Sequence, residues 1–152
     1  TGACIVQKDF EQLSHTADIE IRVYGITLQQ LFEHALIGMF QVIGPKVVGC
    51  RIENERVVCA QLPQIRELDV SSFDIESLLV DFLSEAWYFS DIHNEAYLKA
   101  DIHELTQTHI RATLHGVEVQ GFDVVEIKAV TYHDLHIEQL NGMWQTNIVF
   151  DI

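Results

Sequence analysis

The residues best suited to chemistry lie toward the two ends of the chain. Near the start, SHTADIEI places Asp18 at the entrance to an alternating apolar run, just after His15 and Thr16. At the other end, NGMWQTNIVFDI sets Asp151 directly before the α-carboxylate of Ile152. An aspartate and a chain terminus ordinarily titrate near about 3.9 and about 3.5, so both are anionic at neutral pH. Two anions on consecutive residues at the end of a strand repel each other unless a basic side chain or a cation compensates. Carboxylate oxygens are hard donors that suit calcium, magnesium or manganese better than zinc. Should Asp18 reach the same end of the sheet, three carboxylates would converge on one ion. Taken alone, Asp18 and Thr16 read more simply as turn residues that satisfy backbone donors.

No other constellation competes. The sequence has no GxGxxG or GxxxxGK[ST] phosphate loop, no HExxH and no GxSxG, and its 8 histidines are scattered. Its 3 cysteines, Cys4, Cys50 and Cys59, show no CxxC spacing. They are expected to be buried reduced thiols rather than a disulfide frame or a zinc site, which fits a cytoplasmic protein. With 9 basic against 23 acidic residues the formal charge is −14. Phosphate contacts supply most nucleic-acid affinity, so direct RNA or DNA binding is not expected; a cation or a basic protein surface is the better partner. No apolar run approaches the roughly 20 residues that cross a bilayer, and no export leader is recognised, so no membrane role is expected.

Elements that could position these groups follow from periodicity. In TLQQLFEHALIGMFQVIG the apolar positions recur every three or four residues, with Thr27 as N-cap and Gly44-Pro45 as the stop. FDIESLLVDFLSEAWYFSD repeats the pattern behind a capping Asp74. IEIRVYG alternates, placing Ile19, Ile21 and Val23 on one face. ERVVCAQL, AYLKADIHEL, HIRATLHGVEV and VVEIKAVTYHDLHIEQL read as strands, and Asn141-Gly142 marks a tight hairpin in QLNGMWQTNIVF. Without a linker or a strict βαβ alternation, residues 1–152 are expected to form one α+β domain. Its sheet should be mostly antiparallel, with the two amphipathic helices packed on one face.

HTADIEIRVYG, TLQQLFEHALIGMF, EIKAVTYHDLHIE, the NGMW hairpin and the closing FDI, in that order, resemble the archease family almost from end to end. The resemblance implies a small α+β accessory protein of the GTP-dependent tRNA-splicing RNA ligase. Such a protein has no catalytic residue of its own; it promotes guanylylation of the ligase's catalytic histidine and sustains multiple turnover. It further implies a metal site built from Asp18, Asp151 and the Ile152 carboxylate, with calcium the first choice of ion and magnesium or manganese as alternatives. His15, His133 and Asp134 are candidates for orienting those ligands from behind. Two positions depart from the family pattern: Ser14 replaces a frequent acidic residue and Glu20 a frequent glycine.

Two other readings compete with an accessory role. A stand-alone divalent-metal hydrolase would use the ion to activate water, with His15 as the local base. A calcium-stabilised interaction module would use the ion for structure alone, so that the ion would raise the melting temperature without touching a partner's activity.

Overall fold

The computed structural model describes residues 8–15, 18–124, 127–131 and 135–152, with the backbone alone at 14 and 15. The chain opens with β1 (Phe10–His15), β2 (Asp18–Gly25) and α1 (Leu28–Val42). Four strands follow, β3 (Pro45–Lys46), β4 (Arg51–Glu53), β5 (Arg56–Val58) and β6 (Gln64–Ser71), and then α2 (Ile75–His93). The remainder is β7 (Glu95–Leu105), β8 (His109–Glu118), β9 (Gly121–Phe122), β10 (Ala129–Val130), β11 (Glu138–Leu140) and β12 (Met143–Asp151). The described strand pairs are all antiparallel, as the α+β reading requires.

The strands divide between two larger sheets rather than forming one. The first has the order β1-β2-β12-β10, with β11 paired to the start of β12; the second has the order β6-β8-β7. Alternation sets the faces. Ile19, Ile21 and Val23 of β2, with Ile148 and Phe150 of β12, are fully buried beneath α1. Asp18, Glu20, Arg22 and Tyr24 must then point to the opposite face, because strand side chains alternate. Helix α1 packs on both β2 and β7, and α2 lies against the second sheet, so the core joins the two sheets through the helices. Phe32 of α1 meets Phe82 of α2 with ring centroids 5.8 Å apart, and Tyr97 of β7 meets Phe40 edge-on at 5.4 Å.

Both helices begin where their capping residues predict. Gln30 N–H donates to Thr27 Oγ1 at 3.0 Å, and Ser77 N–H to Asp74 Oδ1 at 2.8 Å. Asn141 and Gly142 both adopt positive φ, 53° and 77°, which makes the two-residue turn between β11 and β12 match the twist of its strands.

Three expectations need correction. Of ERVVCAQL only Arg56–Val58 is extended, and of VVEIKAVTYHDLHIEQL the described strands are Ala129–Val130 and Glu138–Leu140. β-Rich composition in these segments supports short pairings on a neighbour rather than long strands. Cysteines 50 and 59 are not separate thiols: a disulfide joins them across the base of the β4–β5 hairpin, with Cα atoms 4.6 Å apart. Adjacent hairpin strands bring the two within bridging distance, which composition could not reveal. Cys4 lies outside the described residues.

Candidate metal centre

The decisive register is that of β12 on β2. Asp151 is the Cα partner of Asp18, followed along the strands by Phe150 with Ile19, Val149 with Glu20 and Asn147 with Arg22. Directly opposed residues carry their side chains on the same face, with Cβ atoms about 4.5–5.5 Å apart. Two exposed carboxylates, distant in sequence, therefore stand side by side on the outer face of the first sheet. Like charges so placed destabilise the pair. Among the described residues no basic side chain forms an ion pair with either one.

On its other side β12 is held by Lys128 N–H, which donates to Asp151 O at 2.7 Å, and by the pairing of Ala129 with Asp151. This fixes the backbone up to the residue before Ile152, whose half-buried side chain packs on the core. The structure thus brings Asp18, Asp151 and Ile152 to one end of the sheet. The two paired side chains, Asp18 and Asp151, offer anionic oxygen, the kind of donor a hard divalent cation takes. No group of three His, Cys, Asp or Glu side chains assembles as a metal site among the described residues. Any third oxygen at this end of the sheet would come from the main chain at Ile152 rather than from a side chain. His15 pairs its backbone with Ile19 but its side chain is outside the described residues, as are His133 and Asp134 entirely.

Further along the same face, Arg22 Nε donates to Asn147 Oδ1 at 3.0 Å, and its Nη1 lies 3.7 Å from Glu11 Oε1. Tyr24 Oη donates to Glu11 at 2.9 Å. Hydrogen bonds from Lys8 and Tyr24 hold the Glu11 carboxyl below the usual carboxylate range.

A second polar surface escaped the sequence reading. On the outer face of the β6-β8-β7 sheet, His109 Nε2 sits 2.6 Å from Asp69 Oδ1 and its Nδ1 2.5 Å from Glu104 Oε1. His115 Nε2 lies 2.8 Å from Asp101 Oδ2. The alternating spacing of His109, Arg111, Thr113 and His115 marks this face in the sequence, but their partners come from other strands. Hydrogen bonds to Asp69 and Glu104 raise the His109 pKa. A raised folded pKa stabilises below the unfolded value of about 6.5 and is lost as pH rises through the folded value. NMR titration of the His109 ring should accordingly give a midpoint above the ordinary one, and Asp69→Asn should lower it.

Comparison with known proteins resolves the family. The Archease protein family (MTH1598/TM1083) matches residues 10–152. The chain belongs to the archease family. Relatives include the protein archease of Methanosarcina mazei, 37% identical over 153 residues that cover 95% of this chain and 97% of that protein. The protein archease of Pyrococcus abyssi is 34% identical over 153 residues, covering 95% and 99%. Among solved structures, Methanobacterium thermoautotrophicum protein 1598 aligns with a TM-score of 0.70 at 29% identity, covering 96% of this chain and 100% of that one. A Thermotoga maritima protein described as an archease and possible chaperone aligns at 0.59 with 21% identity, covering 93% and 96%, and shows the archease fold alone.

Proposed function

We infer that this archease-family chain is a metal-binding accessory protein of the GTP-dependent tRNA-splicing RNA ligase. In this reading it does not join RNA; it promotes guanylylation of the ligase's catalytic histidine and sustains turnover. The observation that carries the reading is the pairing of Asp18 with Asp151 across β2 and β12.

Asp18, Asp151 and the Ile152 carboxylate would hold a divalent cation, with calcium the first candidate and magnesium or manganese the alternatives. When bound, the ion supplies positive charge at a surface where phosphoryl groups must be aligned. His15, His133 and Asp134 would orient the carboxylates through hydrogen bonds. The overall charge of −14 suits docking on a basic surface built to hold RNA, where complementary fields mainly speed encounter.

The test is a guanylylation assay on a candidate ligase with GTP and a divalent metal, with and without this protein. The guanylylated fraction should rise faster with it, and Asp18→Ala or Asp151→Ala should remove the gain while circular dichroism shows an intact fold. Equal stimulation by either variant, or none by the unsubstituted chain, overturns the reading.

A further inference from the structure

A hairpin that belongs to neither larger sheet stands apart from the paired aspartates. Among the described residues β4 and β5 pair only with each other, Arg51 with Val58, Ile52 with Val57 and Glu53 with Arg56. A two-stranded ribbon this short is marginal in water. Its turn gives little help. Asn54 and Glu55 both take positive φ, 52° and 65°, a conformation that suits asparagine but strains glutamate. Strand β4 adds no burial either: its three residues are exposed, Ile52 at 77%, and Arg51 Nε donates within the strand to Glu53 at 2.8 Å.

The side chains that fasten the hairpin to the body meet β5. Gln41 of α1 donates Nε2–H to Val57 O and accepts Val57 N–H, each at 2.9 Å. Arg56 donates from Nη1 and Nη2 to the two Asp9 oxygens at 2.7 and 2.5 Å, and lies over the Phe10 ring at 4.3 Å. Phe10 begins β1, an edge strand of the first sheet. Because Val57 turns its N–H and C=O toward Gln41, it forms a non-hydrogen-bonded pair with Ile52, and alternation makes Cys50 and Cys59 another. Their Cα separation of 4.6 Å is the spacing of such a pair. The bridge therefore closes the ladder where the backbone supplies no bond, and ties the unanchored β4 to the anchored β5.

Both cysteines are half-buried and line a surface cavity of about 350 Å³ with Val48, Pro63 and Gln64, which gives a small thiol a path to the sulfurs. A second cavity, of about 340 Å³, lies between the hairpin turn and Phe10, Gln41 and Asp123.

We propose that the Cys50–Cys59 bridge is a site of thiol–disulfide exchange with a dithiol reductant, and that its reduction unfastens the β4–β5 hairpin from α1 and β1. A thiolate of the reductant attacks one Sγ; the Sγ–Sγ bond breaks, a mixed disulfide forms and the other cysteine leaves as a thiolate. The reductant's second thiol then displaces the first cysteine and closes its own disulfide. Two electrons pass to the protein, and the two released thiolates take up the protons the dithiol gave up. Strand β4 then peels away. Alone, β5 is a three-residue segment that Gln41 and Arg56 hold only while it stays extended, so the Phe10 face beneath Arg56 and the second cavity open to solvent. Neither the ion nor the ligase enters this inference.

The experiment is amide hydrogen exchange on the full chain, oxidised and then reduced with dithiothreitol under native conditions, with free thiols counted. Reduction should release two thiols and speed exchange across Arg51–Glu53 and Arg56–Val58 by at least about tenfold, while β2 and β12 keep their protection. Reoxidation should restore the original rates. The double variant Cys50→Ser/Cys59→Ser should exchange like the reduced chain and ignore dithiothreitol; should it fail to fold, the reduced unsubstituted chain decides. Unchanged hairpin exchange after two thiols are released overturns the proposal. So does a bridge that resists dithiothreitol until the whole chain unfolds, or a loss of protection shared equally by β2 and β12.

Discussion

Asp151→Asn is expected to raise the melting temperature in chelator and lower it in calcium, relative to the unsubstituted chain. The two signs come from one contact. Without an ion, Asp18 and Asp151 are like charges in directly opposed strand positions, a placement that costs about 0.2–1 kcal/mol. Neutralising one relieves that cost and should raise the midpoint by roughly 1–3 °C for a chain of this size. With calcium at about 100 times its dissociation constant, a site present only in the folded state adds about 2.7 kcal/mol. The unsubstituted chain should then melt roughly 5–10 °C higher than in chelator. Asp151→Asn should lose most of that rise, because an amide oxygen is a weaker donor than a carboxylate. Thermal scans in calcium and in chelator decide the matter. An equal calcium shift in both proteins would remove Asp151 from the site.

The second large effect concerns stability alone. Glu95 is 2% exposed and receives Arg66 Nε and Nη2, each at 2.9 Å, together with Tyr97 Oη at 2.9 Å. Its backbone carbonyl accepts Ser90 Oγ at 2.5 Å, joining the end of α2 to the start of β7. Glu95→Ala strands the buried Tyr97 hydroxyl, which alone costs about 1–3 kcal/mol. It also deprives Arg66 of its partner. Because the Arg66 side chain keeps about a third of its surface in water, a total of about 2–4 kcal/mol is expected, short of the full range for a wholly buried pair. Denaturant unfolding should show a lower midpoint with an unchanged slope. Tyr97→Phe should cost much less, since it removes the donor along with its need.

The same network predicts an acid response. Burial pushes the Glu95 carboxyl up, but the hydrogen bonds from Arg66 and Tyr97 outweigh it and leave the folded value below the ordinary one. Such a group stabilises above its unfolded pKa, and that contribution fades as pH falls through the folded value. Glu95→Gln should therefore flatten the acid limb of the stability curve.

Much of this architecture is visible in the residues. The three-and-four spacing and the capping Thr27 and Asp74 locate both helices to within a few positions. Alternation in β2 and the Asn141-Gly142 turn locate the central hairpin partners. Strand β6 does not announce itself in the sequence because it carries Ile65 outward and Arg66 inward, which blurs its period of two. Pairing across the sequence is a different matter. Alternation states which face Asp18 and Asp151 occupy but not which residue stands opposite which, and a slip of one position would turn either over. The resemblance to archease, not the spacing, nominated that pair. The carboxylates around His109 were hidden for the same reason, Asp69 being 40 positions away. The Cys50–Cys59 bridge depended on a hairpin that composition marked only on one side.

Strand β12 lies in the middle of the first sheet, between β2 and β10, although it is the last element in chain order. Arg22 and Asn147, which meet across that seam, are 125 positions apart. Closing so long a loop delays the seam until nearly everything else has been made, and pairings this remote form slowly. A nascent chain therefore carries β1 and β2 as a hairpin with one bare edge, the kind of surface that recruits stray strands. Synthesis pauses or truncations before β12 should leave aggregation-prone fragments, in which the aspartate pair does not yet exist.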